Sequence, residues 1–283
     1  MEMFGYQGKA MSITDIRARH KKIIGMIHLQ PLPGTPFFEA GSLDRILDTA
    51  VSSALALQAG GADGCLIQTV DRTYTAKDES DPARTVAMGM IVDAVARATS
   101  DSFKVGCQLM RNALQASLAV AKVAKGDFIR VAAMVGSTQT ASGLIEANPH
   151  ALAEYRRKID AWDIAVIADI HSMHFNWFGE AKPVAYVAHA ARLAGADAVA
   201  LGDRDDEITL GLIESVRAAE PGLPIFLAGY TNLANAQKLL ARADGAFVGT
   251  CLERDGWGGV IDVDKVRAYL DIVRSLPAQP DEH

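Results

Sequence analysis

Short, apolar, β-branched runs recur along the chain, and each is followed by a longer stretch with the periodicity of an amphipathic helix. Continuous apolar runs of this length are typical of parallel strands that are buried on both faces. The predicted strands lie at 23–28, 63–68, 104–109, 127–132, 164–170, 197–202, 224–229 and 245–249. The predicted helices lie at 42–59, 82–99, 112–125, 149–161, 181–194, 206–219, 232–242 and 262–275.

This regular alternation predicts an α/β protein with a single (β/α)₈ TIM barrel over residues 23–275. A doubly wound open sheet is the alternative, and the absence of a GxGxxG motif after the first strand weakens it. Residues 1–22 are then an N-terminal extension, expected to be partly disordered before the second methionine, and 276–283 are a C-terminal tail.

An internal repeat supports this assignment and identifies residues with a structural role. The segments AGGADG (59–64), AKGDF (124–128), AGADAV (194–199) and ARADGAF (241–247) each place an aspartate at the start of an even-numbered strand. The amino ends of barrel strands serve stability, and an aspartate there can accept hydrogen bonds from backbone N–H groups. We therefore assign Asp63, Asp127, Asp197 and Asp244 to structure.

The composition of the chain argues against several classes of protein, namely nucleic-acid-binding, membrane-spanning and disulfide-bonded proteins. The 28 basic and 34 acidic residues give a formal charge of −6 without a Lys/Arg cluster, which argues against a nucleic-acid partner. No apolar run is long enough to span a bilayer, and the start of the chain lacks an apolar signal core, so we expect a cytoplasmic protein without a membrane partner. Three widely spaced cysteines argue against disulfides, and Cys65 and Cys107 are expected to be buried thiols. A homo-oligomer is expected.

In a TIM barrel, function is found at the carboxyl ends of the strands and in the loops that follow. The polar residues predicted there, on the first, second, third and sixth strands, are His28, Gln68, Gln108, Arg111 and Asp203. Arg111 could either clamp an anionic substrate or pair with Asp71. The small polar loop GSTQTASG (136–143), beyond Arg130, is expected to be a flexible lid or a ligand-contacting loop.

Glycine and small polar residues end the seventh and eighth strands, where many barrels bind phosphate. The candidates for binding phosphate or another small oxyanion are Gly229, Thr231, Asn232, Gly249 and Thr250. Glycine permits close backbone approach, and free N–H groups can then meet the anion. Alternatively, the glycines only make tight turns, and Thr231 or Asn232 caps the next helix.

The segment ADIHSMHFNWFG (168–179) ends the fifth strand and begins its loop. Alternation along a strand places Asp169 and His171 on one face, with His174 beyond them in the loop. Three interpretations stay open: acid/base or substrate-binding work, a divalent metal site made by all three residues, or local structure. Further metal ligands are scarce, since only His28 and Asp203 lie at other strand ends. Trp177 and Trp257 could form the wall of a site for an apolar or ring-shaped ligand, or pack against another subunit or their own loops.

Several motifs together resemble the BtpA family, which includes SgcQ-like proteins. They are IIGMIHLQPLPGTP (23–36), GGADG (60–64), FIRV (128–131), GLIE (143–146), ADIHSMH (168–174) and ADGAFVGTCLERDG (243–256). The resemblance covers nearly the whole chain and implies a barrel fold, with roles from photosystem assembly to phosphosugar or nucleoside metabolism. Its motifs include His28, Asp169, His171, His174, Gly249 and Thr250.

The sequence departs from the family pattern at three strand ends. Gln68-Thr69-Val70 stands where the family tends to have Glu-Asn-Phe, Gln108 where it tends to have Asn, and Arg111-Asn112-Ala113 where it tends to have Arg-Asn-Asp. Gly202-Asp203-Arg204 replaces a short Thr-Gly turn. These changes around a retained fifth strand indicate a subfamily with a different substrate or reaction.

The leading hypothesis is a cytoplasmic barrel enzyme, a lyase, isomerase or hydrolase, that acts on a small phosphorylated or anionic sugar-like metabolite. Asp169 and His171 would supply acid/base or metal chemistry, with His28 across the mouth. No lysine lies at a strand end, which disfavours a Schiff-base aldolase. No cofactor is indicated apart from the metal option. The alternative is a non-catalytic assembly or regulatory protein that binds a ligand or partner at the same face.

Overall fold

Eight parallel strands close into a barrel in the computed structural model, which describes residues 21–276. The barrel strands are β1 Lys22–Leu29, β2 Gly64–Thr69, β3 Lys104–Gln108, β4 Phe128–Val131, β7 Ala165–His171, β8 Ala198–Leu201, β9 Ile225–Leu227 and β10 Gly245–Val248. They pair in this order, and β10 closes onto β1. The predicted single TIM barrel is confirmed, and the open-sheet alternative is wrong. The predicted extension and tail lie outside the described residues except at 21–22 and 276.

Helices surround the barrel and cover its outer face. Their bounds are α1 Leu43–Gly60, α2 Pro82–Ala98, α3 Leu114–Val123, α4 Pro149–Lys158, α5 Val184–Leu193, α6 Asp206–Ala219, α7 Ala236–Leu240 and α8 Val263–Arg274, and a 3₁₀ turn spans Thr250–Leu252. Only α7 is much shorter than its predicted range. Asn232 Oδ1 accepts from the Ala234 N–H, and Asn235 Oδ1 accepts from the Asn232 N–H, each at 2.8 Å. Asn232 therefore caps the turn that leads into α7, with Asn235 reaching back to it, and the Ala236 N–H bonds the Asn232 carbonyl at 2.9 Å.

The segment predicted as a lid is a β-hairpin. Strands β5 Ser137–Thr140 and β6 Gly143–Glu146 pair antiparallel beside the barrel. The hairpin is fixed to the loop after β7, because Thr138 Oγ1 accepts from the Asn176 N–H at 3.1 Å and the Ser137 carbonyl accepts from the Phe178 N–H at 2.9 Å. None of its residues lines the cavity described below, so the expected ligand-contacting role is not seen.

The barrel interior is a packed apolar core, and a layer of polar side chains covers it at the carboxyl ends of the strands. Phe128, Phe226 and Phe247 are fully buried within it, with the Phe247 ring centroid 6.4 Å from that of Phe128 and 5.7 Å from that of Phe226. Tilted rings at this separation pack well because their edges and faces are electrostatically complementary. These side chains therefore fill the middle of the barrel. A ligand can enter the barrel from the carboxyl ends of the strands. Among residues 21–276, no helix has the length and apolar character needed to cross a membrane.

The four repeated aspartates lie at the amino ends of the strands, as predicted. Each carboxylate accepts a hydrogen bond from a backbone N–H of the preceding barrel strand, at 2.8–3.0 Å; the pairs are Asp63 with Ile23, Asp127 with Val105, Asp197 with Val166 and Asp244 with Ile225. Each also meets a basic side chain, from Lys22, Lys104, Arg156 and Arg217 respectively. Their structural assignment is confirmed.

Asp244→Ala is expected to destabilise the fold and to leave ligand binding at the opposite face unchanged. The substitution leaves the buried Ile225 N–H without its acceptor and removes the 2.6 Å partner of Arg217. An unsatisfied buried donor costs about 1–3 kcal/mol, so urea denaturation should show a loss of about 2–3 kcal/mol in the free energy of unfolding. Asp264→Ala is the control, because its ion pair with Arg267 is exposed and contributes little. Equal losses in both variants would contradict the assignment.

Candidate active site

A cavity of about 680 Å³ opens at the carboxyl ends of the strands, a size typical of small-molecule sites. Loops after β7, β8, β9 and β10 form its wall. The predicted site residues that line it are His28, Gln68, His174, Gly229, Thr231, Asn232, Gly249 and Thr250. The predicted residues outside its lining are Gln108, Arg111, Asp169, His171 and Asp203. The barrel thus brings eight of the thirteen predicted site residues to one cavity, and the catalytic or binding roles of all thirteen stay predictions.

Polar side chains from neighbouring strands form the floor of the cavity. His28 pairs in register with Gln68, and Gln68 pairs in register with Gln108. Partners in register share a face of a parallel sheet, so all three side chains belong to the inward-facing layer. Arg130 on β4 and Asp169 on β7 continue that layer and bind each other. The floor therefore offers polar groups above an apolar core.

A buried carboxylate orients His28. Glu253 is 2% exposed, and its Oε1 lies 3.3 Å from Nδ1 of His28. Its Oε2 accepts from the Gly258 N–H at 2.7 Å, which fixes the carboxylate. An ionised carboxylate only accepts, so Nδ1 carries the proton and Nε2 of the neutral ring has a free lone pair. This is the arrangement of a general base with its orienting carboxylate.

Arg130 and Asp169 form an ion pair beneath the cavity, and both side chains are almost completely buried. Nε and Nη2 of Arg130 donate to the two Asp169 oxygens at 2.8 and 3.0 Å, and Nη2 also donates to the Ala228 carbonyl at 3.0 Å. The Ser172 hydroxyl donates to Asp169 Oδ2 at 2.6 Å. Asp169 is therefore the partner of Arg130. The sequence predicts that Asp169 and His171 act at the same place, and the structure does not bring them together. Nη1 of Arg130 has no protein partner among residues 21–276.

His174 lines the cavity and contacts Arg111. Nη1 of Arg111 lies 3.0 Å from Nδ1 of His174, and the guanidinium stacks on the Tyr74 ring, 5.3 Å from its centroid. Desolvation, with the charges of Arg130 and Arg111 and the nearby His28, lowers the pKa of His174 well below its ordinary value. The imidazole is therefore neutral at physiological pH. The alternative pairing of Arg111 with Asp71 is wrong, because Asp71 Oδ2 accepts from Arg84.

His171 lies outside the cavity lining and pairs with Asp203. Its Nε2 is 3.5 Å from Asp203 Oδ2, and each side chain is about one-third exposed. The register of β7 against β8 shifts between Asp169 and His171, so the strict alternation used to align these two residues does not hold there. The backbone N–H of Asp205 and then the His171 ring lower the pKa of the Asp203 carboxyl. The pair lies apart from the cavity floor.

The proposed metal ligands Asp169, His171 and His174 do not converge. Asp169 is held by Arg130, His171 pairs with Asp203, and Nδ1 of His174 faces Arg111. Within residues 21–276 no group of three or more His, Cys, Asp or Glu side chains could hold a metal ion. The two guanidinium groups also disfavour a cation at this position. The geometry does not fit the predicted metal site.

The loops after β9 and β10 line one wall with small and polar residues. Gly229 has φ +136°, a backbone conformation that residues other than glycine rarely adopt. The Thr231 hydroxyl bonds the buried Tyr269 hydroxyl at 2.6 Å, so Thr231 is not a helix cap. Gly249 and Thr250 begin the 3₁₀ turn. The wall has the glycine and backbone groups expected of an oxyanion site, and its role stays a prediction.

The aromatic and sulfur groups near the site differ in role. Trp257 lines the cavity, with its ring centroid 5.7 Å from that of His28. Trp177 instead packs edge-on against Tyr186, outside the cavity lining. Cys251 lines the cavity, but burial raises the pKa of its thiol to about 11. Only the thiolate is a strong nucleophile, so Cys251 is not poised for covalent catalysis.

Gln108 is the least satisfied polar group of the floor. Its side chain is buried, and neither its Oε1 nor its Nε2 has a hydrogen-bond partner among residues 21–276. Each unmet buried group costs about 1–3 kcal/mol. Gln108→Met is therefore expected to raise the free energy of unfolding by about 1–2 kcal/mol in urea denaturation, because Met is of similar size and apolar. A loss of stability would show that the amide has a partner, such as a buried water.

The sequence did not single out three residues that shape this site, namely Arg130, Arg204 and Glu253. Arg130 is a lone charge in the apolar run FIRV, and a charge at an inward position of a buried strand requires a partner. That signal could have identified it. Arg204 lines the cavity wall and makes no ion pair within the described part of the chain. Glu253 approaches His28 only after the chain turns beyond β10, which no local pattern indicates.

Fold and site together define a (β/α)₈-barrel protein with a polar cavity at the carboxyl ends of its strands. Within that class the chain belongs to the BtpA family, whose model matches residues 19–275. The Photosystem I biogenesis protein BtpA of Synechocystis sp. is 30% identical over 267 residues, which cover 93% of this chain and 92% of that protein. The resemblance inferred from the motifs is confirmed.

Solved structures of low sequence identity share the fold. The 2-keto-3-deoxy-6-phospho-gluconate aldolase from Zymomonas mobilis matches with a TM-score of 0.53 at 15% identity, over 96% of this chain and 100% of that one. The phosphoribosyl anthranilate isomerase from Thermus thermophilus matches with a TM-score of 0.51 at 17% identity, over 90% of this chain and 98% of that one. At this identity the likeness concerns the barrel alone.

Proposed function

We propose that this protein is an enzyme that converts a small phosphorylated or otherwise anionic, sugar-like metabolite by general acid/base chemistry at the barrel cavity. The observation that carries the proposal is the combination of groups in that cavity. Glu253 orients His28 as a base, and Arg130 and Arg204 line the same cavity, where no acidic residue of the described part of the chain is found. An anion is attracted to such a site, and an imidazole can move a proton near neutral pH.

The wall formed by Gly229, Thr231, Gly249 and Thr250, with Arg204 beside it, is the proposed binding place of the phosphate. No lysine of the described residues 21–276 lines the cavity, which argues against a Schiff-base aldolase and leaves a lyase, isomerase or hydrolase. A cytoplasmic location, a homo-oligomeric state and a small anionic metabolite as the partner remain predictions from the sequence.

A thermal-shift comparison tests anion binding. Ribose 5-phosphate and glycerol 3-phosphate are compared with ribose and glycerol at the same concentrations. At about 100 times the dissociation constant a ligand adds about 2.7 kcal/mol to the free energy of unfolding, which raises the melting temperature by several degrees. We expect the phosphorylated compounds to stabilise the wild type. Arg204→Ala should lose most of this effect, because the side chain is exposed at the cavity and has no ion pair among residues 21–276 to maintain.

Arg157→Ala is the matched control, since Arg157 is an exposed arginine of α4 outside the cavity lining. It should keep the full shift. Equal responses to phosphorylated and unphosphorylated compounds would contradict the proposal. They would favour the second candidate, a non-catalytic assembly protein, for which the name of the cyanobacterial relative is the supporting observation.

A further inference from the structure

Building on the proposed function, we propose that His174 and Arg130, which both line the cavity, together form an oxyanion-binding pair. The substrate is then a phosphorylated carbonyl compound from which His28 removes a proton next to the carbonyl. This names the class of substrate and of reaction intermediate at the same site. It favours an isomerase or a lyase over a hydrolase, because only the first two reactions need a carbanion stabilised as an enolate.

The tautomer of His174 follows from its contact with Arg111. Nδ1 of the imidazole lies 3.0 Å from Nη1 of the guanidinium. A guanidinium has only donors, so Nδ1 must be the acceptor, and the single proton of the neutral ring lies on Nε2. Nε2 has no protein partner within residues 21–276, and the residue lines the cavity. His174 therefore has one N–H group left to donate to a ligand.

The surroundings of His174 keep it in this state. The groups that act on it are Arg130, Arg111 and His28, and none of them is an acid. The carboxylate of the floor, Asp169, is already bonded to Arg130 and to the Ser172 hydroxyl. Protonation of the imidazole would place a third cation among these groups. A neutral imidazole can still polarise a carbonyl, and it does so without giving up its proton to the substrate.

Arg130 supplies the second donor. Its Nε and Nη2 are committed to Asp169 and to the Ala228 carbonyl, whereas Nη1 has no protein partner in the described part of the chain. The side chain is fixed by this ion pair and by the Phe247 ring 4.6 Å away, so its free N–H does not need to reorganise during a reaction. Preorganised donors of this kind stabilise the negative charge that develops on an oxyanion.

The reaction balances with the groups of the cavity. Nε2 of His28 takes the proton from the carbon next to the carbonyl, and the electron pair of the C–H bond becomes the C=C bond of an enolate. The π electrons of the carbonyl move onto its oxygen, which accepts hydrogen bonds from Arg130 Nη1 and His174 Nε2. Return of a proton from His28 to the same carbon restores the substrate, with its hydrogen exchanged for one from solvent. No oxidant or reductant is needed.

The first experiment observes the tautomer directly. In protein labelled with ¹⁵N at histidine, with His174→Gln to assign the signals, we expect Nδ1 of His174 unprotonated and Nε2 protonated at neutral pH, because burial and the neighbouring cations lower the pKa of this imidazole. Arg111→Met should mix the tautomers, because it removes the donor that fixes Nδ1. Arg72→Met is the matched control, since Arg72 also stacks on an aromatic ring, that of Phe37 at 5.2 Å, and should change nothing. A proton on Nδ1 of the wild type would overturn the inference.

The second experiment measures the preference for an enolate-like probe. Calorimetry compares 2-phosphoglycolate, whose carboxylate can accept from both donors, with glycerol 3-phosphate. We expect the wild type to bind 2-phosphoglycolate at least about tenfold more tightly, the order of one charge-assisted hydrogen bond. His174→Phe should lose this preference and still bind glycerol 3-phosphate, whereas His174→Gln, which keeps an N–H donor, should retain part of it.

The two proposals fail in different ways. Binding of both phosphorylated probes without a preference for 2-phosphoglycolate would overturn the oxyanion pair and leave the proposed function intact. Binding of neither probe would overturn the proposed function. A preference for 2-phosphoglycolate that survives in His174→Phe would show that His174 is not one of the donors.

Discussion

Glu253→Gln should abolish the base function of His28 while leaving the fold intact. Its Oε2 accepts from the Gly258 N–H at 2.7 Å, and in the variant the amide oxygen must keep that role. The amide nitrogen is then turned toward Nδ1 of His28, which lies 3.3 Å from the other carboxylate oxygen. A donor there forces Nδ1 to accept, and the proton moves to Nε2. The lone pair that would take the substrate proton is lost.

We expect the rate to fall by about 10²–10⁴-fold, the cost seen when a general base is removed or held in the wrong tautomer. The measurement is deuterium exchange from solvent into dihydroxyacetone phosphate and ribulose 5-phosphate, followed by NMR, with His28→Gln as the full loss. Glu146→Gln, at an exposed carboxylate on the hairpin, is the control. The ¹⁵N shifts of His28 give a readout that does not depend on turnover. An unchanged tautomer with unchanged exchange would contradict the assignment.

The barrel could be predicted from the sequence because its signals are local and repeated. Each buried strand is a short apolar run, and four of them begin with an aspartate that accepts from the strand before it. A pattern that recurs at every second strand–helix unit indicates how many units there are. It also indicates that neighbouring strands are hydrogen-bonded through these aspartates at their amino ends. The predicted start of α7 at 232 coincides with the cap at Asn232, and only the regular α-helical part, Ala236–Leu240, is shorter than predicted.

The position of the candidate site could be predicted, but its pairings could not. Strand ends are known once the strands are known, so residues such as His28 and Gly249 were placed correctly in the cavity lining. Which side chain meets which depends on contacts between distant segments. Glu253 reaches His28 across 225 positions, and Arg130 reaches Asp169 across 39. No periodicity carries that information.

The alternation of side chains along β7 led to one wrong prediction, that Asp169 and His171 act together. Asp169 and His171 are two positions apart, and in a regular strand they would share a face and a ligand. The register of β7 against β8 shifts between these two residues. Asp169 is the counter-ion of buried Arg130, whereas His171 pairs with Asp203, so the two residues have separate roles. Of the two histidines in this segment, the one that lines the cavity is His174, which lies beyond the strand in the loop. Its position is fixed by Ser172, whose hydroxyl accepts from the His174 N–H at 3.0 Å.

Arg130→Met should be the most destabilising single substitution in the site. It leaves the Asp169 carboxylate, whose side chain is 0% exposed, without its counter-ion, and it removes the donor to the Ala228 carbonyl. Breaking a buried pair by removal of one partner costs about 3–5 kcal/mol, because an uncompensated charge stays buried. Urea denaturation should show this loss in the free energy of unfolding.

The double variant Arg130→Met/Asp169→Asn should recover most of that stability, since it buries no charge and its amide oxygen still accepts from the Ser172 hydroxyl, 2.6 Å away in the wild type. Yet it should not regain the preference for 2-phosphoglycolate over glycerol 3-phosphate, because the donor Nη1 is gone. Stability and ligand recognition are thereby separated at one side chain. A double variant that is stable and still prefers 2-phosphoglycolate would show that Arg130 only supports the fold. Recovery of neither property would mean that its packing on Phe247, rather than its charge, holds the floor together.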